Sequence, residues 1–127
     1  MFQGLELFQS AAALARHAAT RQNVVAENVA NIDTPGFKAR DIDAFARTYA
    51  NGLSLNVTQA EHIGTNTPGR GRSPHEIETG VQKPNGNTVS IETEMLKSIE
   101  AERAHSRALA VYQASLDILK TSIGRGR

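Results

Sequence analysis

The reading of this chain turns on Asn23-Val24-Val25-Ala26-Glu27-Asn28-Val29-Ala30-Asn31-Ile32-Asp33-Thr34-Pro35-Gly36-Phe37. Its first half continues a long helix and its second half stops it. Asn31 tolerates the left-handed conformation that closes many helices. Thr34-Pro35-Gly36-Phe37 then reads as a tight turn, with Pro35 presetting φ at the first corner and Gly36 free to take the positive φ that a type II turn needs at the second. Upstream, the stretch from about Leu5 to Ala30 contains neither Gly nor Pro and is dominated by Ala, Leu, Arg, Gln and Glu, which favour helix. Leu7, Ala11, Leu14, Ala18, Gln22, Val25, Val29 and Ile32 recur at spacings of 3 and 4. So narrow a stripe is the seam of a helix pair rather than a globular core face. At 1.5 Å per residue such a helix is about 39 Å long.

Downstream, residues from about Asn51 to Asn87 are dense in Gly, Pro, Asn and Thr, with a β-capable piece at Leu53-Ser54-Leu55-Asn56-Val57-Thr58. Residues Ile77 to Val81 followed by Pro84-Asn85-Gly86-Asn87 suggest a hairpin, since Asn-Gly is a strong turn signal. A second long helix is expected from Ser90 to Ile123, capped by Ser90, with Glu92 and Glu94 in its positive first turn. His105, Leu109, Tyr112, Leu116, Leu119 and Ile123 step along one face, Ile91, Met95 and Ile99 extend it, and Gly124 ends it. The expected fold is therefore mainly α: two long terminal helices paired as an antiparallel coiled coil, joined by an irregular middle with a little β-hairpin. Residues 1–32 and 88–127 would form one core, and 33–87 the post-helix turn and loop.

Composition limits what such a chain does. Its 127 residues allow one domain; 39% are hydrophobic, 5% aromatic, and Trp is absent. Much of the apolar content is Ala, which suits helices that pack closely on something else. A net charge of +1 makes no demand for nucleic acid or an acidic membrane. Without Cys there is no disulfide or thiolate metal site. No apolar run approaches the length of a membrane span, and no basic segment precedes an apolar start. On these grounds alone the chain would be placed in the cytoplasm.

Catalytic chemistry finds no support. None of His17, His62, His75 and His105 has a partner at metal-ligand spacing on a helix, and His75-Glu76-Ile77-Glu78 reads as a solvated loop. Glu92/Glu94 and Glu100/Glu102 are each two apart and point to different faces, so they read as capping and solvated surface. Gly69-Arg70-Gly71-Arg72 and the terminal Gly124-Arg125-Gly126-Arg127 are too short and lack the aromatics of RNA-binding repeats. No catalytic, cofactor-binding or metal-binding residue is expected.

The stretch from Asn23 to Phe37 resembles the signature of the bacterial flagellar rod, hook and associated axial proteins, an N-terminal helix ending in Asn-x-x-Asn-x-x-Thr-x-Gly-aromatic. Asn28, Asn31, Thr34, Gly36 and Phe37 fall in register, with Pro35 inside the turn, and Lys38-Ala39-Arg40-Asp41-Ile42-Asp43 is similar to the proximal-rod members. Asn85-Gly86-Asn87-Thr88-Val89 leading to Met95 resembles the approach to that family's C-terminal helix. The likeness covers residues 1 to about 45 and about 84 to 123. Glu27 departs from it by standing where a small residue is expected, and the Gly-Arg tail runs past the usual end.

The resemblance implies a structural subunit of the basal-body rod, polymerised around the axial channel beside the MS ring, transmitting torque and letting export pass. It implies export without a cleaved signal to the periplasmic rod, which reverses the cytoplasmic placement. Implied partners are further copies of the chain, FlgC, FliE, FliF and neighbouring rod proteins, with neither nucleic acid nor membrane insertion. Asn28, Asn31, Thr34, Pro35, Gly36 and Phe37 would form the assembly motif. Leu7, Leu14, Val25, Val29, Leu109, Tyr112, Leu116, Leu119 and Ile123 would form the helix-seam interface. The alternatives are another axial rod protein such as FlgC, or a helical adaptor or export chaperone that folds alone in solution.

Overall fold

The computed structural model describes residues 2–52, 74–77 and 81–124. Leu53 to Thr58, Gly69 to Arg72 and the end of the Gly-Arg tail, all singled out from sequence, lie outside the described residues. Two helices dominate: α1, Phe2–Ala30, and α3, Ile91–Gly124. At 29 and 34 residues they are about 43 and 51 Å long. They pack antiparallel, as the sequence led us to expect. The Phe8 and Tyr112 rings meet edge to face at 4.4 Å toward one end, and Asn28 bonds Glu94 at the other. Between them lie β1, Arg40–Asp41, the short helix α2, Phe45–Gly52, and β2, His75–Glu76.

The seam is built from small side chains at heptad spacing. Ala11, Ala18 and Val25 are buried on α1; Glu94, Ala101, Ala108 and Ser115 are buried on α3, each seven residues after the last. A seven-residue repeat keeps one face turned toward a partner along the whole contact. Alanine at those positions lets the backbones approach closely but gives up little apolar area, each methyl being worth about 0.8 kcal/mol. Larger buried groups gather at the end where the chain leaves α1 and joins α3: Val24, Val25, Ile42 and Val89, with Ala39 among them.

Two local readings are corrected. The strand content is not a hairpin across Asn85-Gly86: β1 pairs antiparallel with β2, Arg40 opposite Glu76 and Asp41 opposite His75. Asn85-Gly86 does turn, with Gly86 N–H donating to the Lys83 carbonyl, but it docks against the segment after α1. The middle also contains α2, which its polar composition concealed. Phe45 packs against Tyr49 at 5.4 Å and against His17 of α1 at 5.6 Å. His17 Nε2 lies 2.7 Å from the Asp43 carbonyl; since a carbonyl only accepts, that nitrogen carries the proton.

Candidate assembly site

The motif at the end of α1 becomes a clamp. The last four carbonyls of a helix lack partners within it, and α1 has no basic residue in its last turn. The far side of the chain supplies what is missing. Asn87, fully buried, donates its amide to the carbonyls of Asn31 (2.9 Å) and Thr34 (2.8 Å), and its Oδ1 accepts from Val89 N–H at 2.7 Å. Lys83 Nζ reaches the Ile32 carbonyl at 3.4 Å, putting a cation at the negative helix end. Asn31 Nδ2 donates back to the Glu27 carbonyl at 2.8 Å, and Thr34 Oγ1 donates to Asn31 Oδ1 at 3.2 Å.

Gly36 takes φ +72°, the positive value its turn was expected to require, and Phe37 N–H closes the turn on the Thr34 carbonyl. Gly86 takes φ +84° directly above it: a side chain placed there would meet the Gly36 Cα at 3.4 Å. The two glycine turns are stitched together by Gly36 N–H to the Asn85 carbonyl (3.0 Å) and Thr88 N–H to the Phe37 carbonyl (3.1 Å). Ala39 N–H donates to Thr88 Oγ1 at 2.8 Å. The two halves of the family signature, 50 residues apart, are thus one site.

Asn28 is the second bolt. Its side chain is completely buried. Its amide donates to the Arg40 carbonyl at 2.7 Å, and its Oδ1 accepts the Arg40 N–H at 3.0 Å. It therefore pairs with β1 as a neighbouring strand would. The same Nδ2 donates to Glu94 Oε2 at 3.0 Å. Glu94 was read from sequence as part of a solvated, capping acidic pair; the structure buries it on the seam. Its heptad spacing to Ala101, Ala108 and Ser115 was the signal. Lys97 Nζ sits 3.0 Å from Glu94 and 3.6 Å from Asp41, Arg21 bonds Asp41 at 3.2 Å, and Arg21 reaches Glu100 at 3.1 Å. Burial alone would raise the Asp41 pKa, but the Arg21 hydrogen bond, the Ile42 N–H and the charges of Arg21 and Lys97 hold it below the ordinary 3.8. Glu27, the departure from the family pattern, has a local use: it pairs with Arg40 at 3.2 Å.

Glu92 is exposed, and its pKa is lowered by the Ser90 hydroxyl, which donates to it at 2.6 Å, and by its own N–H. The Ser90 carbonyl accepts the first helical bond, from Glu94 N–H. Ser90 thus stands at the N-cap, with its hydroxyl engaged by Glu92.

The residues expected at the helix seam divide. Val25 is buried, and Leu14 and Leu116 are half-buried. Leu7, Val29, Leu109, Leu119 and Ile123 are exposed, Ile123 by 78%, while Tyr112 is partly exposed but packs its ring on Phe8 of α1. The large apolar stripe of α3 thus lies beside the small-residue face that meets α1. Met95, Leu109, Leu116 and Ile123 share one heptad position, and Ile91, Tyr112 and Leu119 share a second, so this outward ridge has coiled-coil spacing of its own. Among the described residues no cluster of His, Asp or Glu is arranged to hold a metal ion, and no helix is long and apolar enough to cross a membrane.

The model of a family described as flagella basal body rod protein matches residues 9–38, from the first heptad of α1 to the far side of the Gly36 turn. That match, together with the relatives that follow, places the chain in the class of structural rod proteins. The chain is 36% identical over 122 residues to the flagellar basal body rod protein FlgB of Yersinia enterocolitica, covering 85% of this chain and 86% of that one. It is 33% identical over 108 residues to FlgB of Cereibacter sphaeroides (82% and 83%), and 32% identical over 110 residues to FlgB of Agrobacterium fabrum (81% of each). The chain belongs to the FlgB family of flagellar basal body rod proteins. These relatives carry the names of structural components, not of enzymes.

Proposed function

We propose that the chain is a building block of the proximal rod, polymerising around the axial channel next to the MS ring. Neighbouring copies, and FlgC, FliE and FliF at the limits of its layer, are its partners. The observation that carries this reading is the outward ridge: Leu109, Leu119 and Ile123 lie exposed at coiled-coil spacing beside the face of α3 that meets α1, with Tyr112 among them packed on Phe8. Exposed apolar surface of this extent and regularity marks a protein interface. The clamp motif, Asn28, Asn31 and Thr34-Pro35-Gly36-Phe37, has a supporting part: it holds the helix pair in one geometry so that every copy presents the same ridge. Export as an unfolded chain without a cleaved signal fits a seam of alanines, which releases little apolar burial when opened. Torque passes through the helix layer once the ridges interlock.

The test separates ridge from fold. The double change Leu109→Asn with Leu119→Asn alters two exposed positions, so the purified chain should keep its helix content and melting temperature. Cells exporting it should assemble no rods. Basal-body yield, counted by electron microscopy under matched expression, decides the matter; normal yield with this variant would remove the ridge from assembly.

A further inference from the structure

The ridge has a gap, and the gap is a groove. Following its two heptad positions along α3, Ser98, Glu102 and His105 interrupt the large apolar residues. There the surface falls into an open depression of about 370 Å3 lined by Ala18, Ala19, Gln22, Asn23, Ala101, Glu102 and His105. Alanines on both helices leave it shallow-walled and ready to take a large side chain.

Charge divides at the same place. From Ile91 to Glu102, α3 presents the exposed carboxylates Glu92, Glu100 and Glu102, Glu94 being buried against Lys97; from Arg103 to Gly124 it carries Arg103, Arg107 and Lys120 against Asp117 alone. The half of α3 at the clamp is acidic, and the half with the most apolar ridge is basic.

We infer that the groove receives the C-terminal half of α3 from a second copy of this chain, lying parallel and displaced by two heptads. This rests on the rod reading and goes beyond it by fixing the direction and stagger of the contact. A shift of 14 residues, about 21 Å along the axis, preserves every heptad position. It brings Leu116 of a second copy to Glu102 and its Leu119 to His105, so both leucines enter the groove. It also sets Leu109 of the second copy opposite Met95, and Ile123 opposite Leu109. Lys120 of the second copy then lies one helical turn beyond Glu102, and its Arg107 beside Glu92, so the basic half covers the acidic one. A parallel alignment without stagger would place like charge against like, and a two-fold antiparallel alignment would present both halves of the same pair at once and stop at a dimer. The staggered contact uses different surfaces on the two copies and leaves one of each open, which is the geometry of a growing filament.

Disulfide trapping tests it, aided by a chain with no native cysteine. Met95 and Leu109 are 60% and 45% exposed, so Met95→Cys and Leu109→Cys should both fold. Basal bodies from cells expressing the two single variants together should yield a mixed disulfide dimer on oxidation, and basal bodies from either variant alone should yield none. Dimers from one variant alone would overturn the stagger in favour of an unstaggered or two-fold contact. Normal basal bodies with no mixed dimer would overturn it while leaving the rod reading intact; that reading fails separately if Leu109→Asn with Leu119→Asn still builds rods. As a second measurement, Glu102→Lys and Lys120→Glu should each lower basal-body yield several-fold, and the two together should restore it. No recovery in the double variant would place the two charges apart and count against the inference.

Discussion

The two ends of the helical hairpin are built on opposite principles. At the clamp, Asn28, Asn87, Thr88 and Glu94 are buried polar groups, and among the described residues no buried side-chain nitrogen or oxygen lacks a partner. Beyond Ser115, α3 is exposed at every described position but Leu116, and the apolar Leu116, Ile118, Leu119 and Ile123 outnumber the charged Asp117 and Lys120. Polar groups are exacting because each needs its partner at one distance and angle; apolar groups are permissive because burial depends on area alone. The chain therefore fixes its own shape with the first kind and leaves the second kind for association. Stability and assembly should consequently respond to different residues.

That separation can be broken most forcefully at Asn28. Asn28→Ala strips both backbone bonds from Arg40 and one partner from the buried Glu94 carboxylate. Such losses together cost about 3–5 kcal/mol, enough to shift or abolish a cooperative urea transition followed by circular dichroism. A shift under 1 kcal/mol would mean that water replaces the amide and that the clamp is looser than its geometry.

Gly36→Val is the next largest. No atom lies within 4 Å of a side chain added there, so the cost is backbone strain at φ +72°, roughly 1–3 kcal/mol for a β-branched residue. Gly36→Asn should cost distinctly less, because Asn enters that region more easily. Equal losses for Val and Asn would point to a clash instead.

A smaller effect sharpens the clamp by pH. The folded Asp41 pKa lies below its ordinary 3.8, so its ion pairs stabilise the protein above that value, and this stabilisation is lost as pH falls through 3.8 and then through the lower folded value. Asp41→Asn should cost about 0.2–1 kcal/mol near neutrality, as partly exposed ion pairs do. It should also flatten the fall in melting temperature below about pH 4. An unchanged acid limb in the variant would assign that limb to other carboxylates.

At the far end of the scale, Leu109→Asn should change the stability of the single chain by less than about 0.5 kcal/mol. Hydrogen exchange adds a graded version of the same contrast. Amides of residues 95–101 should exchange more slowly than those of 113–124, and uniform protection along α3 would erase the distinction between its halves.

How much of this was legible follows the range of the interactions. Helix boundaries and positive φ at Gly36 depend on near neighbours, and local propensity revealed them; the antiparallel pairing joins residues as far apart as Asn28 and Glu94, and was legible because each terminal helix carries an apolar stripe that needs a partner. The partner of Asn31 and Thr34 did not show, because Asn87 stands 56 residues from the one and 53 from the other. Asn85-Gly86-Asn87 has the composition of an ordinary hairpin turn, and nothing local says that Asn87 serves a distant helix end. On α1 the stripe through Ala11, Ala18 and Val25 is the buried face; on α3 the choice of stripe was misleading for another reason. Leucines announce a packing face louder than alanines do, so the stripe through Leu109 and Leu119 masked the quieter repeat of Glu94, Ala101, Ala108 and Ser115 beside it. α2 went unseen because Arg47, Thr48 and Asn51 dilute its apolar face.

The alanine seam has a mechanical side. An alanine has no χ rotamers between which to jump. Where Ala11 and Ala18 on one helix face Ala101 and Ala108 on the other, the contact stores no alternative packing. A leucine seam under alternating load can yield by flipping side chains and give back less work than it took in. A seam of methyl groups set close to the backbone has almost no such internal friction, so the pair should answer shear elastically, with the stiffness of its two main chains.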